Sequence, residues 1–261
     1  MNYQEEIEDF VIRGFNKVNS EPGYLKSFVL KNKEDNFINK PSSDFDYHRW
    51  ANSLKSSQAF AHNIFSGVQN PTLIFEFHME VFNRDAQIDV KIENELTIEL
   101  FEVKAFEIIK MEEIDFAPKY FNKEEYKQAD LADAFIDFLY DVKNAFAKEY
   151  NKIYGGGIKQ LCSHLLGIIN SLDKVEYQRK NFKLYSLCLD NNFTPRFERD
   201  LTNYKTTITK FKKLVDAFLK KNNLHLRIEY YGFLSAREYI SKNKELLGQK
   251  NYDYVMNRYF S

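Results

Sequence analysis

Asp89, Glu102 and Lys104 are the residues whose types and spacing could do chemistry. They fall in the stretch from Ala86 to Phe106, AQIDVKIENELTIELFEVKAF. Two apolar, β-rich runs flank a polar break at Asn94-Glu95, the pattern of two strands joined by a tight turn. The second run is apolar on both parities, with Ile98 and Leu100 on one side and Phe101 and Val103 on the other. A strand covered on both faces has this composition. Glu102 and Lys104 end the Ile98/Leu100 side and break it with opposite charges. Such breaks in local pattern concentrate at functional sites. With Asn94-Glu95 as a two-residue turn, Asp89 is expected opposite Leu100, and Glu102 becomes its diagonal neighbour at about 7–8 Å. Two carboxylates at that separation can hold Mg²⁺, an ion that takes oxygen ligands. A lysine beside them can orient a water or stabilise charge on a transferring phosphate. The same Glu102 and Lys104 can also be read as a structural ion pair in a protein of unrelated function.

Asp89, twelve intervening residues and then Glu102-Val103-Lys104 form an arrangement that resembles the PD-(D/E)xK nuclease superfamily. Upstream, Lys55 to Phe65 (KSSQAFAHNIF) resembles the first core helix of a restriction-endonuclease-like group within it. The resemblance covers about residues 53 to 190. It implies an α/β fold with a restriction-endonuclease-like core, a central mixed β-sheet flanked by helices. One nuclease-like domain is expected over 1–261, with its core at about 50–190, a helical insertion at 107–150 and a C-terminal helix and strand addition at 200–261. The activity it implies is Mg²⁺-dependent hydrolysis of phosphodiester bonds, with Mn²⁺ able to substitute. The substrate class is DNA, and the setting is a bacterial endonuclease of restriction or phage-defence type. Asp89 and Glu102 would bind metal, Lys104 would serve the attacking water, and Gln58 and Gln160 would position groups or the scissile phosphate. In relatives the helix after the E-x-K strand often presents such a Gln, and some branches add a Tyr four residues later, where this chain has His164. Many relatives carry an acid on the first helix. None occurs between Ala51 and Phe65, so Glu76 or Glu80 of the following strand is a candidate replacement, and Glu80 joins the expected metal set. The resemblance adds a homodimer that cuts both strands. The alternative is a catalytically inactive nucleic-acid-binding or interaction module on the same fold.

At 261 residues the chain can bury a sizeable core as one domain. With 24 Phe and 17 Tyr against nine Gly and five Pro, it is not a linker-rich or disordered sequence. A net charge of −1 provides no global basic field, so any nucleic-acid contact must come from a local patch. Cys162 and Cys188 sit inside apolar runs and are expected as buried free thiols, with no C-x-x-C or Cys/His cluster for zinc. No leader-like segment and no apolar run near eighteen residues occurs, which gives the expectation of a cytoplasmic protein without a membrane partner.

The elements around the site follow from periodicity. Residues 3 to 18 read as an amphipathic helix, Tyr24 to Leu30 as a short strand, and 50 to 66 as the helix carrying Gln58 and His62. Pro71 to Phe82 alternates, with Phe75, Phe77 and Met79 on one side and Glu76, His78 and Glu80 on the other. Asp85 competes with Asp89 as metal aspartate, but Asp89 lies within the strand. A long helix is expected from Lys123 to Tyr150, acidic on its outer face and a candidate subunit interface. Gly155-Gly156-Gly157 reads as a flexible entry to a helix from Ile158 to Leu172, on which Gln160 and His164 share a face. A strand from Phe182 to Leu189 would complete the core by residue 190. Beyond it come a lysine-rich helix from Thr206 to Asn222, a strand from Leu224 to Tyr231, a capping box at Ser235 opening a helix to Leu247, and a short helix at 251–260. The lysines are either a solvated helix face or a phosphate-contact surface.

Overall fold

Asn94 sets the register of the sheet. Its side-chain oxygen accepts the backbone N–H groups of Leu96 (3.1 Å) and Thr97 (2.8 Å), and its own N–H donates to the Thr97 carbonyl (3.0 Å). These bonds close a four-residue turn, Asn94 to Thr97, because a short polar side chain can mimic a backbone turn. The strands it joins are β2 (Asp85–Glu93) and β3 (Thr97–Lys104), with Glu93 paired to Ile98 and Lys91 to Leu100. Leu100 therefore faces Lys91, and not Asp89 as the two-residue turn implies. The shift is two residues, so every side chain keeps its expected face.

A computed structural model describes residues 3–18, 56–68, 72–109, 111–147, 152–154, 157–191 and 193–260. The expected strand Tyr24–Leu30 and the front of the 50–66 helix lie outside the described residues. Five strands form one mixed sheet in the order β1 (Thr72–Glu80), β2, β3, β6 (Asn181–Cys188), β7 (Ile228–Ser235). The pairs β1–β2 and β2–β3 are antiparallel, and β3–β6 and β6–β7 are parallel. Parallel neighbours need long crossovers. Helices supply them here: α3 (Ala129–Ala147) and α4 (Ile158–Ser171) between β3 and β6, and α5 (Pro195–Lys221) between β6 and β7. The sheet is thus not complete at residue 190, because the C-terminal segment supplies its edge strand β7.

Several elements differ from the periodicity-based expectation: the strand expected at Leu224–Tyr231 is β7 at Ile228–Ser235, preceded by a 3₁₀ turn at Leu224–Leu226, and the helix expected to run to Leu247 breaks at Asn243. α5 starts at Pro195, eleven residues before Thr206, because Thr194 caps it by accepting the Phe197 N–H (3.1 Å) and proline suits the first helical turn. Its buried stripe, Phe197, Leu201, Tyr204, Ile208, Phe211, Val215 and Phe218, keeps helical spacing throughout. The 107–150 segment is not one long helix. It holds 3₁₀ turns at Pro118–Phe121 and Lys123–Glu125 before α3, and strand β4 (Met111–Glu113) pairs with β5 (Lys152–Tyr154) in a separate two-stranded sheet. Asn122 caps the second 3₁₀ turn, its side-chain oxygen accepting the Glu124 N–H.

Helix α2 (Ser57–Phe65) and α4 cover opposite faces of the sheet. Phe65 of α2 packs on Phe101 at 4.9 Å between centroids, while His164 of α4 bonds the next residue along β3, Glu102. Neighbouring residues of a strand point to opposite faces, so β3 carries its apolar and its charged functions back to back. Ser235 caps α6 (Ala236–Lys242), its hydroxyl accepting the Glu238 N–H (3.0 Å), while the Glu238 carboxylate pairs with Lys242. Short α7 (Lys244–Leu247) then leads to α8 (Gln249–Tyr259). α8 packs on α2 and on the N-terminal α1 (Tyr3–Val18), whose Gly14 lies against the Arg258 carbonyl so closely that a Cβ there would overlap it. Cys162 and Cys188 are buried free thiols. No described helix is long and apolar enough to cross a membrane.

Candidate active site

The ladder between β2 and β3 ends at the Val90–Phe101 pair. One residue further, Asp89 and Glu102 stand across from each other where the strands part. On the other flank, Phe75 pairs with Val90 and Phe77 with Ile88, which puts Glu76 across from Asp89. A row of acids, Glu76, Asp89 and Glu102, thus spans three neighbouring strands. Glu76 has a left-handed backbone (φ 51°) and drops out of the pairing. For a residue other than glycine, that conformation costs on the order of 1–3 kcal/mol. Its carboxylate accepts from Gln58 Nε2 at 2.7 Å. Gln58 reaches it because Ser56 caps α2, with its hydroxyl accepting the Ala59 N–H, and so places Gln58 in the first helical turn.

Glu102 is 2 % exposed and both its oxygens are engaged. Oε1 accepts from Lys104 Nζ at 2.5 Å, and Oε2 lies 2.7 Å from His164 Nε2. An ionised carboxylate has no proton to give, so Nε2 is the donor. Burial pushes the Glu102 carboxyl up, but Lys104 and His164 outweigh it and hold the group at about 2. Lys104 also donates to Gln160 Oε1 at 2.9 Å. Burial pulls its ammonium down, and the charges of Glu102, Asp89 and Glu107 more than restore it, so Lys104 stays protonated well past neutral pH. Asp89 is the strained member. Burial, then the charges of Glu102 and Glu76, raise its carboxyl well above the usual aspartate range, against smaller opposing effects of Lys104 and of the Val103 N–H, which donates to Oδ2 at 2.6 Å.

Of the expected residues, Glu102, Lys104 and Gln160 are joined by direct hydrogen bonds, Asp89 lies beside them on the Val103 N–H, and Gln58 is linked to this patch through Glu76, whose charge acts on Asp89. Glu80 does not join it. It sits at the end of β1 opposite Asp85, ion-paired with Lys127, four residues and roughly 13 Å of extended chain from Glu76. Asp85 is also outside, with His78 Nδ1 3.3 Å from its Oδ2. His62 is a packing residue, buried and stacked on Phe75 with 4.8 Å between ring centroids. Two members of the patch, His164 and Glu76, lie beyond the residues expected from sequence. His164 has one sequence signal, its place four residues after Gln160 on the same helix face. Glu76 can be named from sequence only as an alternative to Glu80, since strand alternation gives both the same side.

The expectation of a flexible glycine entry to α4 is corrected at Gly157, where residue 157 is a buried wall of the site. It takes φ 53°, and a Cβ there would stand 3.0 Å from Lys104 Cε and 3.4 Å from Gln160 Oε1. Gly157→Ala is expected to destabilise the protein by about 1–2 kcal/mol, because alanine is strained at positive φ. It should also displace the Lys104 side chain. Urea unfolding reads the effect on stability, and an alanine variant of unchanged stability would show that the close packing is not present.

Among the described residues, no group of three or more His, Cys, Asp and Glu side chains is arranged to close around a metal ion. The donor chemistry nonetheless fits a hard divalent cation. Asp89 is half-buried, and that burial, Glu102 and Glu76 raise its carboxyl more than Lys104 lowers it, and carboxylate oxygens are the ligands such a cation takes. No family model matches the chain, and no curated protein or solved structure shows significant similarity to it.

Proposed function

We propose that this protein is a Mg²⁺-dependent nuclease with a restriction-endonuclease-like fold, a DNA endonuclease of restriction or phage-defence type. The observation that carries the proposal is the convergence of Asp89 and Glu102 at the point where β2 and β3 part, with Lys104 held beside them by Gln160. The element order α2, β1, β2, β3, then β4, α3 and β5 as an insertion, then α4 and β6, supports the fold assignment. The preference for DNA rests on the sequence resemblance, as does a homodimeric state, which sedimentation would test.

Asp89 and Glu102 would hold the cation, which when bound neutralises charge building on the phosphoryl oxygens and on the leaving oxygen. Lys104 is permanently charged, so it is a donor. It orients the attacking water and stabilises the phosphorane-like charge but does not remove the water's proton. The water oxygen forms the new P–O bond, the P–O bond to the leaving nucleoside breaks, and the water's proton ends on the leaving oxygen or in solvent. Gln160 fixes the Lys104 rotamer and His164 fixes the Glu102 carboxylate, since each bonds its partner directly.

A second reading, an inactive nucleic-acid-binding module on this fold, is favoured by one observation: both oxygens of Glu102 are already engaged, by Lys104 and His164. Incubating the protein with plasmid, single-stranded DNA and RNA under Mg²⁺, Mn²⁺ or EDTA separates the two. Metal-dependent cleavage together with Mn²⁺ binding that is lost in Asp89→Asn supports the nuclease. Nucleic-acid binding without cleavage or Mn²⁺ uptake supports the inactive module.

A further inference from the structure

We infer that the groove along α5 lined by Thr202, Lys205, Thr206, Thr209, Lys210 and Lys213 carries the phosphodiester backbone of the nucleic acid that the proposed site cuts. The inference rests on the nuclease reading and gives its substrate a path. The groove holds about 360 Å³ and its lining has three lysines and no carboxylate. Its residues repeat at helical spacing on a single face of α5. The threonines offer it no donors, because each hydroxyl bonds a carbonyl one turn back: Thr202 to Glu198 (2.9 Å), Thr206 to Thr202 (3.0 Å) and Thr209 to Lys205 (2.8 Å). The ammonium groups are what the groove presents to a ligand, and an anion is what they fit. Two exposed acids of α5 flank the groove without lining it: Glu198 lies one turn before Thr202, and Asp216 is taken by Lys212 at 2.8 and 2.9 Å.

The groove is placed to serve the site. α5 packs against the 3₁₀ turn Glu107–Ile109, just beyond Lys104. Lys205 Nζ lies 4.8 Å from the centroid of the Phe233 ring, and Phe233 of β7 pairs with Ser186 of β6, which pairs with Glu102 of β3. Lys205 therefore stands at the same end of the sheet as the site. From Lys205 to Lys213 the helix rises about 12 Å, which matches roughly three to four nucleotides of one strand at 3.4 Å each. Lys210 spends one N–H on the Ala145 carbonyl at 2.6 Å, which fixes it as a wall of the groove. Lys205 and Lys213 are exposed and are the positions to change.

The test compares wild type, Lys205→Glu/Lys213→Glu and, as a control on α8, Lys250→Glu. Labelled 30-nucleotide DNA and RNA, single-stranded and duplex, are titrated by anisotropy in EDTA from 50 to 200 mM salt. The double variant is expected to bind at least about tenfold more weakly at 50 mM salt, with the slope of log K against log salt reduced by about two. Cleavage should fall with binding, while Mn²⁺ affinity and the melting temperature stay unchanged, and Lys250→Glu should behave as wild type. The DNA and RNA arms identify which backbone the groove takes. If wild type cleaves and the double variant binds and cleaves equally well, the groove assignment is wrong and the site reading stands. If wild type neither binds nor cleaves any of these nucleic acids, the nuclease reading falls and takes the groove with it.

Discussion

Lys104→Met protein is expected to fold and to lose cleavage by on the order of 10²–10³-fold, the effect of removing one donor aimed at developing charge. Methionine keeps the length of the stem and its packing against Gly157, but on the proposed nuclease mechanism nothing then orients the water. Glu102 retains only His164 as partner. Breaking a buried ion pair on one side typically costs about 3–5 kcal/mol, and His164 reduces this, so a loss of about 2–3 kcal/mol is expected. The cleavage rate per folded molecule, with folded fraction taken from urea unfolding, is the decisive measurement. If Glu102 and Lys104 were a structural ion pair only, stability would fall while the rate per folded molecule stayed the same.

Asp89→Asn is expected to do the reverse to stability. It should abolish Mn²⁺ binding and cleavage while making the protein more stable at neutral pH by about 0.5–2 kcal/mol, the usual gain when a functional compromise is relieved. The amide still accepts the Val103 N–H but no longer repels Glu102 and Glu76. The sign follows from linkage. A carboxyl whose folded pKa is raised binds more protons folded than unfolded, so stability falls as pH climbs from the unfolded value of 3.8 through the raised folded one. An amide in place of the Asp89 carboxyl removes that loss. Glu102 contributes oppositely: its depressed pKa adds stability above about 4.5 that disappears as pH drops through about 2. Wild type should therefore lose stability between mildly acidic and neutral pH, and the amide variant should not. Calorimetric melts of both proteins across pH 4–7 provide the comparison. Parallel curves would show that Asp89 is not held among like charges.

The sequence reveals the site to the extent that its residues obey strand parity. Ile98, Leu100, Phe101 and Val103 announce a strand covered on both faces, and Glu102 and Lys104 stand out against them. Parity survives a register shift of two, which is why the Asp89–Glu102 convergence is legible although the turn is not. The turn depends on one side-chain oxygen of Asn94 capturing two amides, and an Asn-Glu pair does not distinguish that from a tight hairpin. Glu76 is hidden for a related reason. A left-handed residue inside a strand takes its side chain out of the alternation that a reader must assume. His164 is hard to value from sequence because what makes it a site residue is Glu102, sixty-two positions away. β7 is visible as a strand, but its membership in the main sheet depends on the crossover made by α5.

The seating of α1 on α8 bears on how the chain is made. Ile7 and Val11 are buried, Gly14 touches the Arg258 backbone, and Phe60 of α2 packs on Tyr259 at 4.7 Å between centroids. During translation at ~5–20 residues per second, α1 leaves the ribosome roughly 10–50 seconds before α8 does. For that interval α1 lacks the helix it packs on. Its docking therefore waits for α8 to emerge.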